Sequence, residues 1–188
     1  RDGWPQFSGF IVNPHWHQVT LYNNELPTKD TEIAVPLSGE NVDGGLNLEA
    51  SNDYYAYDFW NDRFVGRFKG TETLRQTLRP GEARMLSIHA VESNPQFIST
   101  NRHILQGYLD LVKLPRWDRT THTLTGTSRV VAGDPSEVVM ALNKARIAGV
   151  SANGAEIPTQ PIQGQRDLTI IRINSRDNRA VTWKLLCQ

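Results

Sequence analysis

Turn-forming residues cut this chain about every ten residues, and the pieces between them are rich in aromatic and β-branched side chains. His15 to Tyr22, Thr31 to Leu37, Asp53 to Trp60, Arg63 to Lys69, Thr71 to Leu78 and Glu82 to Val91 read as strands. Thr123 to Val131, Glu137 to Leu142, Arg146 to Val150, Asp167 to Ile173 and Val181 to Leu186 read the same way further along. Asn61-Asp62 sits between two aromatic runs and predicts a tight hairpin. Pro80-Gly81, Gly133-Asp134-Pro135, Asn153-Gly154 and Asn174 to Asn178 punctuate the rest. Glu137 to Ala145 offers a helix as the alternative to a strand, and Thr100 to Gln106 has room for one helical turn. With no βαβ alternation, this spacing predicts an all-β chain of antiparallel β-sandwiches with little helix.

Aromatic residues divide the chain. All 6 Phe and all 5 Tyr precede Pro115, with Trp4, Trp16 and Trp60. Residues 1–115 carry 10 basic against 14 acidic groups, a net of −4, and residues 116–188 carry 10 against 6, a net of +4. Two lobes follow as an expectation: an aromatic-rich sandwich over 1–115 and a smaller aliphatic one over 116–188. The second core is expected from Val130, Val131, Val138, Val139, Ile147, Val150, Ile170, Ile171 and Ile173.

Composition excludes several function classes. The 20 basic and 20 acidic residues balance, which argues against a general nucleic-acid binder with a basic face. No stretch approaches the roughly 18 apolar residues of a membrane helix. No N-terminal segment has the order of a signal peptide, and the opening arginine fits a fragment or a processed chain. A single cysteine, Cys187, rules out an internal disulfide and a cysteine-based zinc site; it reads as a small core residue.

No motif assembles a catalytic centre. Ser87 and Ser99 lie near His89 and His103, but no Gly-x-Ser-x-Gly elbow holds either serine. His15 and His17 share a strand face and would need a third ligand to hold a metal; hydrogen-bonded histidines at a strand entrance explain them better, so neither metal nor cofactor is expected. Asp53, Asp58, Asp62 and Asp110 are available as paired carboxylates. A surface turn accounts better for Asp58 and Asp62, because aspartate bonds the backbone there. Aromatic platforms for sugar rings are the remaining possibility. Trp117 and Asp118 follow Leu114-Pro115 at the expected lobe junction and are carbohydrate-binding candidates, as is Trp16. Trp60 is expected in the core, where its area would be used best.

Three segments resemble the C-terminal β-sandwich region of bacterial glycoside hydrolases of the α-galactosidase (melibiase) type. Tyr54-Tyr55-Ala56-Tyr57-Asp58-Phe59-Trp60-Asn61-Asp62-Arg63-Phe64-Val65-Gly66 is similar to the "Tyr…Asp-x-Trp…Gly" strand pair of those regions. Leu78-Arg79-Pro80-Gly81-Glu82 resembles their closing "Leu-x-Pro-Gly" hairpin. The run from Asn94-Pro95-Gln96 to Thr100-Asn101-Arg102-His103-Ile104-Leu105-Gln106-Gly107 is similar to "His-Pro-Gln…Thr-Ser-Arg-His-Ile-Thr-Gln-Gly", with Asn94 for the usual His and Asn101 for the usual Ser. The resemblance spans residues 54–107; beyond 115 it is only of kind.

The resemblance implies a role without chemistry. In those enzymes two aspartates on a (β/α)8 barrel cleave the bond, and no position here corresponds to either. Arg102 and His103 match a motif taken as structural, with Arg102 donating to loop carbonyls and Gly107 allowing a turn closed to other residues. Asp58 and Trp60 belong to the structural motif as well. The expected function is therefore a non-catalytic accessory region that buttresses a catalytic barrel and holds carbohydrate, in the periplasm or outside the cell. An autonomous carbohydrate-binding module and a protein-binding adhesion or assembly module are the alternatives.

Overall fold

The computed structural model describes residues 7–13, 16–24, 29–40, 44–153, 155–163 and 165–188. Among them every regular element is a strand, so the all-β expectation holds. The strand reading of 137–142 holds too, against the helical alternative. Among the described residues no helix is long and apolar enough to cross a membrane. The chain forms two compact units, Arg1–Val91 and Glu92–Gln188.

The first unit contains β1 (Phe7–Asn13), β2 (Trp16–Tyr22), β3 (Thr31–Pro36), β4 (Asp53–Asp58), β5 (Arg63–Lys69), β6 (Thr73–Leu78) and β7 (Ala83–Ala90). A five-stranded sheet runs β1-β2-β7-β4-β5, and β3 pairs with β6 in a second sheet. Every pairing is antiparallel. Alternation explains the core. Val19 and Leu21 of β2, Leu86 and Ile88 of β7, and Tyr54 and Ala56 of β4 point one way. They meet Ile33, Val35, Leu74 and Leu78 from the smaller sheet.

Two turns behave differently in this unit. Asn61-Asp62 closes the β4–β5 hairpin as expected, with Asp58 opposite Arg63. Pro80-Gly81 makes a tight turn, with Gly81 at φ 73° and Glu82 N–H donating to Arg79 O at 2.9 Å. It does not close a hairpin, however. β6 belongs to one sheet and β7 to the other, so this turn carries the chain between layers.

The second unit contains β8 (Gln96–Thr100), β9 (Leu111–Asp118), β10 (Thr123–Val130), β11 (Ser136–Ala141), β12 (Ile147–Ala152), β13 (Ala155–Glu156), β14 (Thr159–Ile162), β15 (Gln165–Ile173) and β16 (Arg179–Cys187). One sheet runs β13-β12-β16-β10-β9 and the other β14-β15-β11-β8. Val138 to Ala141 are all buried. A strand covered on both faces loses its period of two, which is why this run also resembles a helix.

The boundary at Pro115 is corrected. β8 pairs with β11, and β9 runs straight through Leu114-Pro115 to pair with β10, so residues 92–115 belong with the second unit. Aromatic content changes near 115, but hydrogen bonding decides which residues fold together. Val131 also departs from its expected place. It bridges Asp134 in a tight turn and is 43% exposed. The second core is not purely aliphatic, because Trp183 is fully buried in it.

Candidate functional site

The segment joining β8 to β9 forms turns, not the helical turn allowed by Thr100 to Gln106. Gln106 N–H donates to His103 O at 2.7 Å and Tyr108 N–H to Leu105 O at 3.2 Å. Its polar groups serve one another. Ser99 Oγ donates to Gln106 Oε1 at 2.8 Å, and Leu105 N–H donates to His103 Nδ1 at 3.1 Å. Asn101 donates to Pro135 O at 3.1 Å and accepts from Glu137 N–H at 2.9 Å. Arg102 pairs with the Asp134 carboxylate, where loop carbonyls were expected as its partners. These bonds tie the motif to the 131–137 turn inside the second unit.

Burial pushes the Asp110 carboxyl above its ordinary range, while the Thr100 hydroxyl, the Gly107 N–H and the His103 imidazole favour its charged form. The folded chain therefore holds this proton more tightly than the unfolded chain. The stabilisation is complete below the unfolded carboxyl value, about 3.9, and is lost as pH rises through the raised folded value. Asp110→Asn cannot titrate. Its stability relative to the native chain should rise between about pH 3.5 and pH 7, as urea unfolding at both values would measure. A constant difference would refute the assignment.

The structure separates the three aromatic candidates. Trp16 is 3% exposed and stacks on His89 with ring centres 5.3 Å apart; it is a packing residue and offers no platform. Trp60 is 62% exposed, where a core position was expected. The alternation that would bury it stops at Asp58, and Trp60 lies in the turn beyond, edge-on to Phe59 at 5.1 Å. Asp58 is fully buried, not on the surface, yet it does perform turn bonding. Its Oδ2 accepts from Asn61 Nδ2 at 2.6 Å, with Arg84 Nε at 3.8 Å. Asp62 accepts from the Tyr57 hydroxyl at 2.8 Å.

Trp117 lines a cleft of about 600 Å³ on the second unit, within the roughly 300–1,000 Å³ usual for small-molecule sites. β9 is the edge strand of its sheet, and Pro115 is tolerated there because an edge strand can spare one N–H. Trp117 is half-buried, with its ring 6.3 Å from that of His122. Lys113 lies opposite Thr127, Arg116 opposite Thr125 and Asp118 opposite Thr123. These pairs share one face, whereas Trp117 opposes Leu124 on the other. The cleft thus draws on both faces of the strand pair. Thr127 and Thr182 join hydroxyls across it at 2.9 Å. Asp118 Oδ1 accepts the backbone N–H groups of Thr120 and Thr121 at 2.8 and 3.2 Å, which holds its carboxyl below the usual range.

The remaining sequence candidates do not converge. His17 is half-buried and burial lowers its pKa; the proposed His15–His17 pair lies outside the described residues because His15 does. Among the described residues no three His, Cys, Asp or Glu side chains gather as metal ligands. Cys187 is 4% exposed, and burial pushes its thiol up, so it stays protonated in the core. Sequence reasoning marked Trp117 and Asp118 but not Lys113, Arg116 or Arg119, which line the same cleft. Compared with known proteins, the chain matches no family model and no curated relative.

Proposed function

We propose that this chain is the non-catalytic β-sandwich region of an α-galactosidase-like glycoside hydrolase, acting outside the cytoplasm and holding carbohydrate at the Trp117 cleft. On this reading the bond-cleaving aspartates belong to a catalytic barrel of the parent enzyme. The observation that carries the reading is the cleft, whose lining brings Trp117 together with Thr125, Thr127, Thr182, Lys113, Arg116 and Arg119. Sugar rings present apolar C–H faces that stack on such a ring, while hydroxyl and charged groups fix the sugar hydroxyls.

Calorimetric titration against galacto-oligosaccharides and plant polysaccharides tests this. Trp117→Ala should weaken binding about ten-fold or more, and Trp117→Tyr should retain most of it. Thermal melts of both variants separate lost contact from lost folding. No heat with any saccharide would refute carbohydrate contact, and glycosidase turnover by the purified chain would refute the non-catalytic assignment.

A protein-docking role is favoured by a second observation. Tyr108, Leu109, Val112 and Leu114 are 49%, 51%, 44% and 43% exposed along or just before the edge strand β9. Such a run of exposed apolar side chains fits the buttressing of a barrel. Concentration-dependent dimers in sedimentation would favour an assembly module instead.

A further inference from the structure

The Trp117 cleft has a charge character that a neutral sugar does not need. Lys113, Arg116 and Arg119 all line it and all are exposed. Among the described residues no carboxylate forms a salt bridge with any of the three. The one acid in the lining, Asp118, commits Oδ1 to two backbone N–H groups of the following turn. Strand register places a further cation, Lys184, on the same sheet face beyond the cleft lining. Thr125 lies opposite Arg116 on one side and Lys184 on the other, so the three side chains form a row across one sheet face. Two strand spacings put the ends of that row about 10 Å apart. The whole second unit carries 12 basic and 8 acidic residues, a net of +4, although the full chain is neutral.

Asp118 offsets part of the Arg116 charge, but three exposed cations around one acid still repel one another, and a bound anion relieves that repulsion. The guanidinium fork of Arg116 or Arg119 matches an oxyanion through paired N–H donors. Threonine hydroxyls between the cations suit the neutral hydroxyls of a sugar, and the indole of Trp117 suits its apolar face. One flat ring in a cleft of about 600 Å³ fits a short saccharide better than a nucleic-acid strand, which uses successive stacking platforms along a basic groove. Resting on the carbohydrate reading above, we propose that the cleft selects an acidic saccharide, one carrying a uronate carboxylate or a sulfate ester.

Titration of the intact chain with matched trisaccharides tests this. The probes are trigalacturonate, the same trisaccharide with its carboxylates reduced to hydroxymethyl groups, and a sulfated galactan trisaccharide. At least one acidic probe should bind about ten-fold or more tighter than the neutral one, and the preference should shrink as salt is raised from about 50 to 300 mM. The two acidic arms tell carboxylate from sulfate. Arg116→Gln with Arg119→Gln should lower acidic affinity more than neutral affinity, with thermal melts checking the fold. Equal affinity for all three probes overturns this inference and leaves carbohydrate contact standing. Silence from all three removes both. An acid preference that survives the double variant, or equal binding of a single-stranded oligonucleotide, also overturns it.

Discussion

Gly107→Ala should lower the unfolding free energy by about 3 kcal/mol, summing backbone strain and overpacking. Gly107 sits at φ 107°, where an L side chain meets its own backbone. A Cβ there would come 2.5 Å from Cζ of Phe97 and 2.9 Å from Cδ1 of Leu111. Those neighbours are 6% and 8% exposed, so neither ring nor branch can swing into solvent. The same glycine anchors the turn electrostatically. Its N–H donates to Asp110 Oδ1 at 3.1 Å, and its carbonyl accepts from Leu111 N–H at 3.1 Å. Leu111 opens β9, so a displaced turn would feed directly into the strand that carries Trp117. Urea unfolding measures the loss, and saccharide titration of the folded fraction measures its reach into the cleft. A change below about 1 kcal/mol would show that the turn relaxes around the methyl group.

The motif around this glycine illustrates which parts of the molecule are legible from residue order. Gly107 announces itself because few residues tolerate the conformation it supplies. Period-two alternation likewise exposes β3 and β16, each with one buried face. β9 gives no such signal. Most of its residues are exposed or half-buried on both faces, and Pro115 breaks the pattern further. Missing that strand moved the expected unit boundary to 115, because the aromatic-poor stretch then looked like the start of a new core. Trp60 fails for the opposite reason: alternation was carried past the last hydrogen-bonded pair of β4 and into a turn.

The cleft is half legible on the same grounds. Trp117 stands out by residue type, since a lone tryptophan beside a proline on an aromatic-poor stretch invites a surface role. Arg116, Lys113 and Lys184 read singly as solvated charges. Only the register of β9, β10 and β16 puts them on one face with Thr125 and Thr127. That register depends on two bulges between β9 and β10, which no local pattern reveals because each is a property of a strand pair.

The second large effect lies beneath that face. Gly126→Ala should cost about 2–3 kcal/mol. Gly126 is paired with Trp183, and a Cβ at this position would come 2.4 Å from Cζ2 and 2.8 Å from Cη2 of its ring. A tryptophan can lie across a neighbouring strand only where that strand offers no side chain. The ring is fully buried and its Nε1–H donates to Ser128 Oγ at 3.0 Å. A methyl group must push the indole away and break that bond in a fully buried site. Trp183→Leu alone should cost about 3 kcal/mol through the space it leaves. In the double variant the added methyl occupies part of that space, so the two losses should fall short of their sum by about 1–2 kcal/mol. Chemical denaturation of the four proteins completes the cycle. Additive losses would mean that the glycine serves the backbone alone, and Thr125 and Thr127 would then be placed at the cleft independently of the indole behind them.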